Sequence, residues 1–67
     1  MNLHDGEVTA EGFYTIKEAM AFLRLSRSSL YALMDEGRLP YAKIGKSRRV
    51  PVLALKEFAA KSMVAAR

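Results

Sequence analysis

Cysteine is absent from all 67 residues, so neither a disulfide framework nor a thiolate zinc site can staple the fold. The single histidine, His4, lies in a polar N-terminal stretch, and no cluster of metal ligands exists to hold a cofactor. No apolar run approaches the length of a membrane span, and the first residues carry acids where a signal peptide would carry basic residues followed by an apolar run. A cytoplasmic location with no membrane partner is the expectation. Size excludes more: a chain this short makes one domain at most, with a marginal core and no room for a sizeable active-site cleft. Ser26, Ser28 and Ser29 have no His or Lys base that the spacing could bring near, and the adjacent Asp35 and Glu36 point to different sides of a helix, so no enzyme is expected.

What the chain has is positive charge, unevenly placed. The net charge is +4 and the isoelectric point near 9.8, yet Asp5, Glu7 and Glu11 make the first twelve residues acidic. From Arg24 to Arg49 seven basic side chains face only Asp35 and Glu36. Such clustering is the electrostatic footprint expected for a phosphate backbone.

Residues 1–12 lack periodicity and read as a flexible acidic leader, residues 13–63 as the folded domain, and residues 64–67 as a tail. Thr15-Ile16-Lys17-Glu18 spells a capping box for a first helix over residues 16–23, with Ile16, Ala19, Met20 and Leu23 inward and Phe13 and Tyr14 closing over its first turn. Ser26 is a second cap. It opens a helix over residues 27–36 that turns Leu30, Leu33 and Met34 to the core, and Gly37 supplies its left-handed stop. Two helices separated by so few residues must cross steeply, as in a helix-turn-helix. Residues 41–44 and 48–50 then read as two short strands around Gly45-Lys46-Ser47, with Ile44 and Val50 the pair that pins the hairpin to the helices. Pro51 suits the first position of a third helix, in which Leu55, Phe58, Ala59, Ser62 and Met63 recur at helical spacing. The predicted fold is mainly α with a small β-hairpin: a winged helix-turn-helix of two helices, a two-stranded wing and a C-terminal helix.

In such a fold the second helix enters the major groove, and a turn of about 100° per residue puts Ser28, Tyr31, Ala32 and Asp35 opposite the core-facing positions. Arg27, at the first helical position, is placed to read guanine O6 and N7. Ser28 and Ser29 add short donors where free N–H groups also attract phosphate. Tyr31 suits a phosphate hydrogen bond, a sugar contact or packing on the hairpin. Ala32 lets the helix approach the bases and can touch a thymine methyl, while Asp35 is either a cytosine N4 acceptor or lies just beyond the groove. On the wing, Lys43, Lys46, Ser47, Arg48 and Arg49 are the expected phosphate or minor-groove contacts. The expected partner is double-stranded DNA.

Taken in order, Tyr14-Thr15-Ile16-Lys17-Glu18-Ala19, Leu25-Ser26-Arg27-Ser28-Ser29-Leu30-Tyr31, Glu36-Gly37-Arg38-Leu39-Pro40, Lys43-Ile44-Gly45 and Arg49-Val50-Pro51 resemble the excisionase family of helix-turn-helix domains, which are MerR-like winged folds. The resemblance covers about residues 13–60. It implies an excisionase that binds and bends attachment-site DNA and directs a separate tyrosine integrase toward excision, or else a small regulator of phage or mobile-element genes. Tyr31 is not itself a recombinase nucleophile, because that chemistry needs several Arg and His residues converging on the scissile phosphate. The chain departs from the family pattern twice. Arg24 stands where the turn often holds glycine and is expected to stay outside the left-handed region. Val52 and Leu53 stand where relatives are polar, so they either pack on the hairpin or meet another protein, a neighbouring protomer on DNA or integrase. A protein-interaction module, with the third helix and these two residues dominant, is the remaining alternative.

Overall fold

The structure, a computed structural model, describes residues 12–64. The expected leader and tail therefore lie outside the described residues, apart from Gly12 and Val64. The order of elements is β1 (Phe13–Thr15), α1 (Ile16–Leu23), α2 (Arg27–Asp35), β2 (Ala42–Ile44), β3 (Ser47–Pro51) and α3 (Val52–Lys61). This is a winged helix-turn-helix arrangement, with one strand more than the sequence reading foresees.

Helix α1 starts where its capping box dictates. The Thr15 hydroxyl accepts the Glu18 N–H at 3.1 Å, and the Glu18 carboxylate accepts the Thr15 N–H at 2.9 Å. It ends at Leu23 because Arg24 turns left-handed, with φ 59° and ψ 46°, and the N–H groups of Arg24 and Leu25 both reach the Met20 carbonyl. The expectation that Arg24 avoids this region is thereby corrected: only three residues separate α1 from α2, and a reversal that short requires the left-handed turn despite the side chain.

Helix α2 is capped by the Ser26 hydroxyl, which accepts the Ser29 N–H at 3.2 Å. It is one residue shorter than expected, since Glu36 already serves as the cap. Gly37 at φ 76° follows, its N–H bonding Met34 O at 3.0 Å, while the Arg38 N–H bonds Leu33 O at 2.9 Å. This pair of bonds is a Schellman ending.

Strands β2 and β3 form the expected hairpin around Gly45-Lys46, in which Gly45 alone takes a positive φ, the pattern of a type II′ turn. Phe13 and Tyr14 do not merely fold over α1. They belong to β1, which pairs antiparallel with β3, so β3 is the central strand of a sheet ordered β1-β3-β2. A two-stranded ribbon is marginal in water, and the third strand gives β3 a partner on each edge.

Register explains a second correction. The two-residue turn sets Ile44 opposite Ser47, three positions before Val50, and an odd offset places the two on opposite faces. Val50 is fully buried beneath the helices, whereas Ile44 is 56% exposed and pins nothing. Tyr14, opposite Val50, occupies the inner face instead and packs against the core.

Helix α3 begins at Val52 rather than at Pro51, which stands just outside it, and the Val52 N–H is satisfied by the Gly12 carbonyl at 3.0 Å. Leu55 is fully buried and Phe58 packs beside it, but the expected continuation through Ser62 and Met63 stops short. Ser62 is the cap and its hydroxyl bonds Phe58 O, which leaves Met63 exposed beyond the helix. Ile16, Ala19, Leu30, Met34, Leu39, Val50 and Leu55 form one core that joins all three helices to the sheet. Each fully buried leucine among them contributes about 1.5–3 kcal/mol. No helix among the described residues is long and apolar enough to cross a membrane.

Candidate nucleic-acid interface

The start of α2 presents Arg27 to solvent with no ion-pair partner among the described residues. Beside it the serines are drawn into the cap. The Ser26 hydroxyl donates to Ser29 Oγ at 3.0 Å and stands 3.4 Å from Ser28 Oγ, so Ser29 is a cap partner first and Ser28 the freer donor. Ala32 is exposed one turn further along. Tyr31 does not stand clear of the core: it is half-buried and packs against the core's edge. Together Ser26, Arg27, Ser28 and Tyr31 line a shallow depression of about 550 Å³.

The wing residues divide by face. Lys46 and Ser47 are exposed at the turn, and Lys43 is exposed on the edge strand β2. Arg48 shares Val50's face of β3 and therefore points toward α2, where its guanidinium carbon lies 4.6 Å from the Tyr31 ring centroid and 4.5 Å from that of Tyr41. Its Nη1 also reaches Asp35 Oδ1 at 3.4 Å. The expected wing-tip cation is thus held between two aromatic faces and a carboxylate, with 23% of its side chain exposed. Asp35, the acid without a settled role, is its partner. Arg49 lies on the opposite face, half-buried, with its guanidinium donating to the Arg48 carbonyl at 3.4 Å.

Tyr31 borders both regions, since it also lines a second cleft with Lys46, Ser47, Arg48 and Arg49. The α2 start and the hairpin turn are therefore parts of one surface. The second ion pair, Arg38 with Glu36 at 3.7 Å, is largely solvated and contributes little. Nothing in the sequence singles out Tyr41, which enters through the stack on Arg48 and so depends on strand register. Among the described residues no group of His, Cys, Asp or Glu could hold a metal ion.

The proposed protein-contact pair is also divided. Val52 is 4% exposed and belongs to the interior, which removes it from any surface role, whereas Leu53 on the next position of α3 is 54% exposed. Consecutive side chains of a helix are turned about 100° apart, so Val52 can face the interior while Leu53 faces solvent.

Comparison with known proteins places these features in context. Residues 13–63 match the family model described as a helix-turn-helix domain. The chain is 43% identical over 44 residues to an excisionase of Streptomyces ambofaciens, covering 66% of this chain and 71% of that protein. It is 38% identical over 47 residues to a probable excisionase of Saccharopolyspora erythraea, covering 70% of this chain and 48% of that one. A putative antitoxin of Mycobacterium tuberculosis, VapB50, is 43% identical over 44 residues, which are 66% of this chain but only 34% of the relative. The chain thus spans about half or less of the length of two of these relatives. No solved structure matches it.

Proposed function

The chain belongs to this helix-turn-helix domain family, and on that premise we propose that it is a sequence-specific duplex-DNA-binding excisionase with a MerR-like winged fold. It binds and bends attachment-site DNA so that a separate tyrosine integrase is directed toward excision. The observation that carries the proposal is the continuous surface from Arg27 at the α2 start to Lys46 at the hairpin turn, bridged by Tyr31. The likeness to two excisionases supports the recombination role.

In this reading Arg27 reads a guanine edge in the major groove, with Ser28 beside it and the Ala32 methyl against a thymine methyl. Ser29 keeps the helix start in shape through the cap. Tyr31 contributes an apolar wall to the groove-facing surface. Lys43, Lys46, Ser47 and Arg49 engage phosphates or the adjacent minor groove, and Arg48 holds the wing in place. The chemistry of strand exchange belongs to the integrase.

The likeness to a putative antitoxin favours a second reading, a small transcriptional regulator. An excision assay separates the two. With the element's integrase and attachment-site DNA, addition of the protein is expected to raise excision; tight binding to DNA near its own gene with no effect on excision would assign the regulator role.

A further inference from the structure

Between the first turn of α1 and the hairpin turn lies a cleft of about 300 Å³ lined by Thr15, Lys17, Tyr31, Lys46, Arg48 and Arg49, among others. Its lining contains four basic side chains and no carboxylate. Arg48 is already committed to Asp35 and the two tyrosine rings, but Lys17, Lys46 and Arg49 have no ion-pair partner among the described residues. Lys17 arrives from a different element than the wing cations. Glu18, the acid next to it, bends back to the Thr15 N–H and is not part of the lining. Three unpaired cations brought together from two elements repel one another, and an anion between them relieves that repulsion.

We infer that this cleft holds one phosphodiester group of the DNA backbone, gripped by Lys17 of α1 on one side and by Lys46 and Arg49 of the wing on the other. The inference rests on the DNA-binding reading and adds Lys17 to the contacts. Its consequence is geometric: one phosphate held jointly by α1 and the wing fixes the register of the duplex, so that α2 meets its bases at a set depth.

The test is fluorescence anisotropy on the attachment-site duplex over a range of salt, for the full chain and its Lys17→Gln, Lys17→Arg and Lys46→Gln variants. Folding is checked by circular dichroism. Lys17→Gln, at an exposed site that leaves the capping box intact, is expected to flatten the slope of log K against log salt by about 0.9, and Lys17→Arg to leave it unchanged. A scan of duplexes with single methylphosphonate substitutions is expected to reveal one position whose penalty is smaller for Lys17→Gln and for Lys46→Gln than for the wild-type protein, because each variant has lost one of the cations that hold that phosphate. If the wild type binds with a clear salt slope but Lys17→Gln keeps that slope and every methylphosphonate penalty, the shared-phosphate site is overturned and the DNA reading stands. If the wild type shows no salt-dependent binding to any duplex, the DNA reading fails and this site with it.

Discussion

Arg48 and Arg27 show how differently two arginines of one basic segment are used. Arg48 lies between the Tyr31 and Tyr41 rings and bonds Asp35, so its contribution is to stability and to the placement of the wing. Each cation–π contact is worth about 0.5–1 kcal/mol, and the Asp35 pair adds little because that carboxylate is largely solvated. Arg48→Ala is therefore expected to lower unfolding free energy by about 1–2 kcal/mol in urea titrations while leaving the salt slope of DNA binding unchanged. Arg48→Lys should recover little of the loss, since an ammonium cannot stack on two faces as a planar guanidinium does. Arg27, by contrast, makes no ion pair among the described residues. Arg27→Ala should leave circular dichroism unchanged, weaken specific binding by about 1–3 kcal/mol and relax one base position in a randomised-site selection. At this scale sequence reasoning found the basic residues but could not sort them. Whether Arg48 or Arg49 faces α2 is decided by the pairing of β3, and a one-residue shift would exchange them.

Among the elements, those with local signals were legible and those that depend on distant partners were not. Thr15, Glu18, Ser26 and Gly37 announce the ends of α1 and α2 because caps act within a few residues. Strand β1 carries no such signal: it has three residues, and its partners Val50 and Arg49 lie some 35 positions away. The exposure of Ile44 has a local origin instead, the two-residue turn that fixes its register opposite Ser47. The turn between α1 and α2 also stores strain, for Arg24 is the one non-glycine residue with positive φ among those described. A left-handed L-residue costs about 1–2 kcal/mol, part of which glycine returns through its freer unfolded chain. Arg24→Gly is expected to gain about 0.5–1 kcal/mol. For a domain of this size that raises the melting temperature by about 2–8 °C, measurable by thermal denaturation.

For the whole molecule, a single small module gains affinity most readily by placing copies on adjacent sites. With Val52 buried, Leu53 is the apolar side chain left exposed at the start of α3, and it is the one proposed to meet neighbours or integrase. Leu53→Glu is expected to leave binding to an isolated half-site nearly unchanged and to abolish the cooperative step on tandem sites in a mobility-shift titration. Val52→Glu should instead unfold the protein, because it would bury an unpaired charge. Retention of full cooperativity by Leu53→Glu would exclude this contact.

The central claim, that the α2 start and the hairpin turn read duplex DNA together, is tested most directly by comparing affinity for the attachment-site duplex with that for a scrambled duplex of equal length, over a range of salt. The account predicts a preference for the attachment site that Arg27→Ala largely removes, together with a salt slope on both duplexes that Lys46→Gln reduces by about 0.9. Equal affinity for the two duplexes at every salt concentration, or a slope indifferent to Lys46, would contradict it.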